Sequence, residues 1–512
     1  MLFDPSRNQS WPPPEWAPEA ALIAEARAWL TGDLNRIVAT GKTSAGWRAR
    51  LAARLAKKQT DPTAVDGQHV AFARLVADTS AALLFGSDPP MWTVPGAGLV
   101  DVDGDGQPEP PSVEQQALIA AQDRIGELAT VDGWYSKLHH AAWIASGLGG
   151  VVLRPVYGDR MTHPTLTVVH HDHCIPTFEW GVLVEAVLWR DVEVDVSGNI
   201  WRHLEIHTAG KVEHSLWYGT TTTLGARRDL SAHRSTSGLI GADKDGIIDL
   251  RPIIGDQLLV DYVPNKLPHP VTLSTDIGGA DTAGLEGRMA ALDQTATGWD
   301  ADVRLGKPRV MVPDQFLIRD GSNGTARFDS DQEVFSPIRV SALDTGQTIE
   351  VIQFEVRADQ FAASKADLMQ ELSLAAGYNP ESVLWASDSN GQMTATEVLS
   401  RDAKTRDTTN SKRTYFAPAL AAVAYKMLQI ERHVYKSPVE PVEPVIEWPT
   451  VDQVDDAQIA QTINTLSVAG AISIEEKVRT RRPEWTDSQV AAEVARIHAE
   501  QGVTVDDPTG RY

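Results

Sequence analysis

Over the first 150 residues, apolar positions recur at helical spacing and predict four helices: Ala20 to Leu30, Val70 to Phe85, Val113 to Leu128 and Trp134 to Leu148. Gly86 and the Pro89-Pro90 pair stop the second, and the polar stretch from Asp101 to Pro111 reads as a loop. At Gly149-Gly150 the period changes. Short runs rich in Val, Thr, Trp and Tyr follow: VVLRPVY, TLTVVHH, VLVEAVLW, IWRHLEIH and HSLWYGTTTTL, between Val151 and Leu224. Turn residues such as Ser197-Gly198-Asn199 separate them, so an antiparallel sheet is expected, with strand signals reaching Val260–Val263.

Leu285, Met289, Leu292, Ala296, Trp299 and Val303 then form one narrow apolar seam, with Glu286, Arg288, Asp293, Gln294 and Asp300 on the other faces. So thin a stripe predicts a helix packed side by side with other helices. Short strand signals return between Pro308 and Val351 (RVMVP, QFLIR, TARF, EVF), with a hairpin turn expected at Asp320 to Gly324. A second helix follows from about Asp359 to Ala376, so the small β module sits between two helices expected to lie close and antiparallel.

After the loop SVLWASDSNGQM, Thr394 and Glu397 make a capping box that opens a long helix to about Val434, with a kink expected at Pro418. Its middle, Ser400 to Arg413, carries almost no apolar residue. Such a segment is expected to be solvated, or held between polar neighbours of an assembly. Pro438, Pro441 and Pro444 mark a stiff linker. Three short helices are expected beyond it, at Asp456 to Ala469, after a Ser473/Glu476 cap, and from a Thr486/Gln489 cap to near Gly502. The order of elements reads as an α+β chain.

Composition narrows the function. With 42% apolar and 22% charged residues, the 512-residue chain is globular. Asp and Glu number 69 against 46 Lys and Arg, a formal charge of −23, which argues against wrapping nucleic acid tightly. The one cysteine, Cys174, excludes an internal disulfide and fits a reducing compartment. No apolar run reaches bilayer length, and Asp4 and Arg7 interrupt any signal-peptide core, so no membrane association is expected.

Three segments carry a family resemblance: VPNKLPHP (Val263 to Pro270) with the STDIGGADTAGLEGRMAALDQ stretch behind it, ELSLAAGYNPESVLW through NGQMTATEVLSRDAKT, and VAGAISIEEKVRTRRPEWTDSQVAAEVARIHAE. Together, and in this order, they resemble tailed-bacteriophage portal proteins of the SPP1-type portal family. The resemblance covers roughly the C-terminal half; the N-terminal half is similar only in outline, helices followed by a β-rich wing. It implies a ring, usually dodecameric, at the capsid portal vertex of a virion assembled in the host cytoplasm. Genomic double-stranded DNA would pass through its channel during packaging and ejection. The implied partners are the large terminase subunit, a head–tail adaptor, and the major capsid and scaffolding proteins. No cofactor is implied.

The same resemblance divides the chain into a wing (1–283), a first stem helix (284–303), a clip (304–350) and a second stem helix (351–376). A tunnel loop, long wing helix and linker (377–453) and a helical crown (454–512) complete it. It implies that Ser387, Asp388, Ser389, Asn390 and Gln392 face the channel, and that Asp320, Ser322, Asn323 and Arg327 dock terminase or adaptor. Arg401, Lys404, Arg406 and Arg413 would pair with neighbouring carboxylates, or contact DNA. A head–tail connector of another kind is one rival, although connectors of this class are generally shorter.

The other rival is a metal-dependent enzyme. Asp101, Asp103 and Asp105-Gly106 begin a calcium-loop pattern, but Ser112 stands where a closing Glu is required, and a solvated acidic loop is the better reading. His170, His171, His173 and Cys174 invite a zinc reading, yet strand alternation would split them between two faces, so no metal site is expected there. Gly41-Lys42-Thr43 ends like a phosphate loop, but Arg36 replaces the required glycine. Trp385 is expected to anchor the base of the tunnel loop. No catalytic signature is found, so the chain is expected not to be an enzyme.

Overall fold

A computed structural model of the chain describes residues 9–33, 68–86, 89–97, 111–158, 160–239, 246–305, 356–384, 395–449, 463–467 and 472–481. It also describes strand pieces at 309–311, 318–319, 326–327 and 350–352, and isolated positions between 490 and 497. The architecture is α+β: among the described residues, a helical layer, two larger antiparallel sheets and three two-stranded ladders, a projecting helix pair and one long helix running through the whole.

The four N-terminal helices form where the periodicity places them: α1 (Ala17–Thr31), α2 (Phe72–Phe85), α3 (Val113–Val131) and α4 (Trp134–Leu148). Ser112 caps α3 by accepting from the Gln115 N–H at 3.1 Å, filling one orphan donor of the first turn. α4 is the central post. Trp134, Leu138, Ala141, Ile144, Ala145 and Leu148 are all buried, and its small residues let α1 and α2 approach closely. It leaves on Gly149 at φ 93°, where an added Cβ would stand 2.4 Å from the Gly278 carbonyl oxygen. That contact seats the 265–281 loop on the end of α4, where the Asn265 N–H also donates to the Gly149 carbonyl at 3.0 Å.

Beyond Gly149 the chain alternates as expected. β2 (Gly150–Val156) lies between β3 (Thr165–His170) and β10 (Asp261–Pro264) in one sheet. The wide sheet runs β4 (Cys174–Glu179), β5 (Val182–Val194), β6 (Ile200–Thr208), β7 (Lys211–Gly219) and β8 (Ala226–Arg228), with β9 (Ile247–Asp249) also paired to β7. Two features depart from the sequence reading. β4 forms despite Pro176, and the chain between β3 and β4 is not strand: His171–His173 is a single 3₁₀ turn. Trp11, from the proline-rich N-terminal stretch, inserts on this sheet between Trp189 (ring centroids 5.3 Å apart) and the Arg202 guanidinium 4.7 Å from its ring.

After the short helix α5 (Arg251–Ile254), helices α6 (Glu286–Leu305) and α7 (Ala358–Ala376) lie side by side and antiparallel, as two ion pairs fix. Arg288 meets Glu371 at 3.0 Å near one end, and Arg357 grips Asp302 through two contacts of 2.9 and 3.1 Å near the other. The expected seam is buried only over its first half. Met289 and Leu292 join Met369, Leu372 and Ala376 against Trp29, Phe72 and Val76, whereas Trp299 is half-buried and Val303 exposed. At the far end β11 (Arg309–Met311) pairs antiparallel with β14 (Glu350–Ile352), and within that module β12 (Ile318–Arg319) pairs with β13 (Ala326–Arg327).

The short helix α8 (Pro380–Leu384) follows α7, and the long helix, α9 (Ala395–His433), is unbroken through Pro418. Its second half supplies Phe416, Leu420, Val423, Ala424, Met427 and Leu428 to the main core. The linker behind it is not a free spacer: β15 (Val445–Glu447) pairs with β1 (Met91–Thr93), and Val439, Val442 and Trp448 pack on the same core. In the C-terminal segment, Ile474–Arg481 is helical, and the Ser473 hydroxyl accepts from the Glu476 N–H at 3.1 Å, as the cap requires. Among the described residues, no helix is long and apolar enough to cross a membrane.

Candidate functional site

Two features have the character of a working site: the projecting helix pair and a buried polar node at its root. Along α6 and α7 burial is one-sided by length. Met289, Ala290, Leu292 and Thr297, with Met369, Leu372, Ser373 and Ala376, are buried where the pair adjoins the body. From Gly298 to Val303, and from Ala358 to Leu368, no residue is buried. The outer halves therefore form an arm, zipped by Arg357–Asp302 and crossed at its tip by the β11–β14 ladder. The Arg357 guanidinium holds the Asp302 carboxyl below its ordinary range.

At the root, the polar middle of α9 does something its composition hides. One stripe of it is buried within the chain: Thr405, Thr409 and Lys412. The Asn379 N–H donates to Thr405 Oγ1 at 2.8 Å and the Thr408 hydroxyl donates to the Gly377 carbonyl at 2.6 Å, so α9 satisfies the turn that ends α7. The expectation of a wholly solvated or intersubunit segment is thus corrected for this stripe. Polar side chains pack here because their partners are backbone groups left open at a helix end.

Lys412 is the centre of the node. Its ammonium donates to Asp281 Oδ2 at 2.5 Å, Ser80 Oγ at 2.7 Å and Tyr378 Oη at 2.9 Å, which uses all three donors. Asp281 also accepts from Ser146 Oγ at 2.6 Å, Tyr378 Oη at 3.0 Å and Asn265 Nδ2 at 2.9 Å. Burial lowers the Lys412 pKa, and Asp281 opposes that shift. Burial pushes Tyr378 well above its ordinary value, and the adjacent Asp281 charge adds to this. The node joins α2, α4, the 265–281 loop, the α7 turn and α9. It binds elements together and holds no open face for a substrate.

The residues expected to act are distributed as follows. Lys404 donates to the Leu374 carbonyl in the last turn of α7, where a cation suits the helix dipole. Arg413 lies 5.2 Å from the Trp448 ring and donates to the Pro449 carbonyl at 3.3 Å, and Arg406 is half-buried on the same helix. Arg327 lies in β13 and Arg401 in α9, but their side chains fall outside the described residues. So do Ser387, Asp388, Ser389, Asn390, Gln392, Trp385, Asp320, Ser322 and Asn323, the Asp101, Asp103 and Asp105 loop, and Gly41-Lys42-Thr43.

His170, His171, His173 and Cys174 are not brought together as a ligand set. His171 is fully buried with Nδ1 2.9 Å from the Leu148 carbonyl oxygen, and burial drives its pKa down to about 4. Cys174 sits apart in an apolar cluster with Val152, Ala186, Leu188 and Val260, where burial pushes the thiol above its ordinary pKa. A different group does converge: His203 and Glu205 on β6 with His214 on β7. The signal was present in the sequence as His-Leu-Glu-Ile-His at strand period two, with His214 in the next predicted strand.

Scanned against models of protein families the chain matches none, and a search of curated proteins finds no match. Many chains of solved structures are similar to it, among them three that match over most of their length. A chain in the neck of an empty gene transfer agent particle, computed with C6 symmetry, has a TM-score of 0.41 at 14% identity, over 80% of this chain and 89% of that one. A chain of the native gene transfer agent virion has a TM-score of 0.40 at 14% identity over the same shares. One from the neck of the native particle with C12 symmetry has 0.38 at 14%, over 79% and 87%.

Proposed function

We propose that this chain is the subunit of a phage-type portal ring, of the SPP1-type portal family, through which double-stranded DNA passes during packaging and ejection. The observation that carries the reading is the arm: two antiparallel helices, buried at the root and bare over their outer halves, closed by a small β ladder at the tip. A monomer gains nothing from leaving Val303 exposed and Trp299 only half-buried; a ring of such arms gives each helix neighbours on its flanks. In this reading α6 and α7 are the stem, the module between them is the clip that meets terminase or adaptor, and Ser387, Asp388, Ser389, Asn390 and Gln392 belong to a tunnel loop that faces the channel. A formal charge of −23 per chain suits a conduit that lets DNA slide, since phosphate is repelled and not held.

The chain acts in this reading without chemistry of its own. Negative-stain images of the purified protein test it. Rings with a central hole and a narrower stem on one face support the proposal, while compact particles without a projection at high protein concentration overturn it.

A further inference from the structure

The wide sheet contains a cluster that conduction of DNA does not use. β6 and β7 pair so that Glu205 stands opposite His214, and His203 and His207 lie two positions to either side of Glu205 on the same face. His203 Nε2 and His214 Nδ1 face each other at 3.1 Å, and His203 Nδ1 is 3.8 Å from Glu205 Oε1. One ligand atom from each of His203, Glu205 and His214 lies within 4.8 Å of the others. Two cavities meet at this cluster. One of about 300 Å³ is lined by Glu205, His207 and His214, and another of about 160 Å³ by His203 and Glu205.

We propose that His203, Glu205 and His214 form a binding site for one divalent cation of the zinc class, with a fourth position open to the larger cavity. Two imidazoles and a carboxylate are a donor set that zinc accepts, and a bound ion would draw the Glu205 carboxylate in toward the two imidazoles. The two facing nitrogens are close to the roughly 3.3 Å that tetrahedral ligation at about 2.0 Å demands.

An independent observation is the state of the nitrogens. His203 and His207 are each 1% exposed, yet His203 Nδ1 and both His207 ring nitrogens lack a hydrogen bond of good geometry. Buried polar atoms are rarely left so, because each forfeits its hydration without a partner in exchange.

Arg154 of β2 donates to Glu205 Oε2 and leaves Oε1 facing His203. A hydrogen bond of this kind orients a ligating carboxylate, while the guanidinium charge opposes a cation. Removing that charge should therefore tighten binding.

The test uses the full chain, stripped with a chelator and titrated with Zn²⁺ against a chromophoric competitor. One ion per chain is expected. His203→Gln and His214→Gln should each weaken it more than about 100-fold. The combined change of His170→Gln, His173→Gln and Cys174→Ser should leave it unchanged, and Arg154→Met should strengthen it. Circular dichroism matching the parent qualifies each variant. Should the ligand variants not fold, Co²⁺ bound to the parent chain decides: nitrogen and oxygen ligation without a thiolate charge-transfer band is expected. Absence of stoichiometric binding, a thiolate band, or full binding by the folded His203→Gln/His214→Gln double variant overturns the site.

Discussion

Asp281→Ala removes the one charge that compensates Lys412, and the node gives the size of the effect. The side chains of Lys412 and Asp281 are only 3% and 1% exposed, so water cannot replace the lost partner. Breaking a buried pair from one side costs about 3–5 kcal/mol, because an uncompensated charge remains. Ser146, Tyr378 and Asn265 lose an acceptor at the same time. Lys412→Met is the milder change: Asp281 then keeps those three donors, and the loss should be nearer 2 kcal/mol. Against a total of about 5–15 kcal/mol for a folded domain, the first change removes about a fifth or more. Urea unfolding of the unassembled chain, followed by tryptophan fluorescence, measures both. The expected order is parent, then Lys412→Met, then Asp281→Ala, with the two variants separated by at least about 1 kcal/mol. Asp281→Ala as stable as the parent, or Lys412→Met the worse of the two, would refute the reasoning.

Other consequences are equally direct. Because burial holds His171 neutral down to about pH 4 while the unfolded chain protonates near 6.5, the unfolded state binds the extra proton between those values. Stability therefore falls as pH drops from 6.5 to 4, by up to about 1.4 kcal/mol per pH unit for this residue, and His171→Asn should flatten that part of a stability–pH curve. Gly149→Ala should destabilise by more than about 2 kcal/mol in chemical denaturation, since its φ is 93° and Gly278 blocks the Cβ. Gly126→Ala, in open space within α3, should stabilise by up to about 1 kcal/mol in the same assay. Val303→Glu, at an exposed position on the arm, should leave the melting temperature of the single chain unchanged while lowering the ring fraction in size-exclusion chromatography; an unchanged ring fraction would count against the arm as an interface.

Much of the fold was legible because periodicity reports burial. The seam from Leu285 to Leu292 is apolar because Trp29 and Phe72 lie against it, and α4 reads clearly because nearly every one of its apolar residues is buried. What failed to show was polar burial. The Thr405–Lys412 stripe looks solvent-facing by composition, and only its contacts with Gly377, Asn379 and Asp281, distant in sequence, make it interior. The strand Val445–Glu447 was hidden among prolines, which punctuate a linker and an edge strand alike. The histidines show the same limit. The adjacent set His170 to Cys174 was weighed for metal and set aside, while His203, Glu205 and His214, at alternate positions on two paired strands, went unremarked although their side-chain atoms converge.

The mass of the native particle tests the central claim most directly. A dominant species near twelve times 55.7 kDa by native mass spectrometry is the result the account predicts. A chain that stays monomeric across the full accessible concentration range would contradict it.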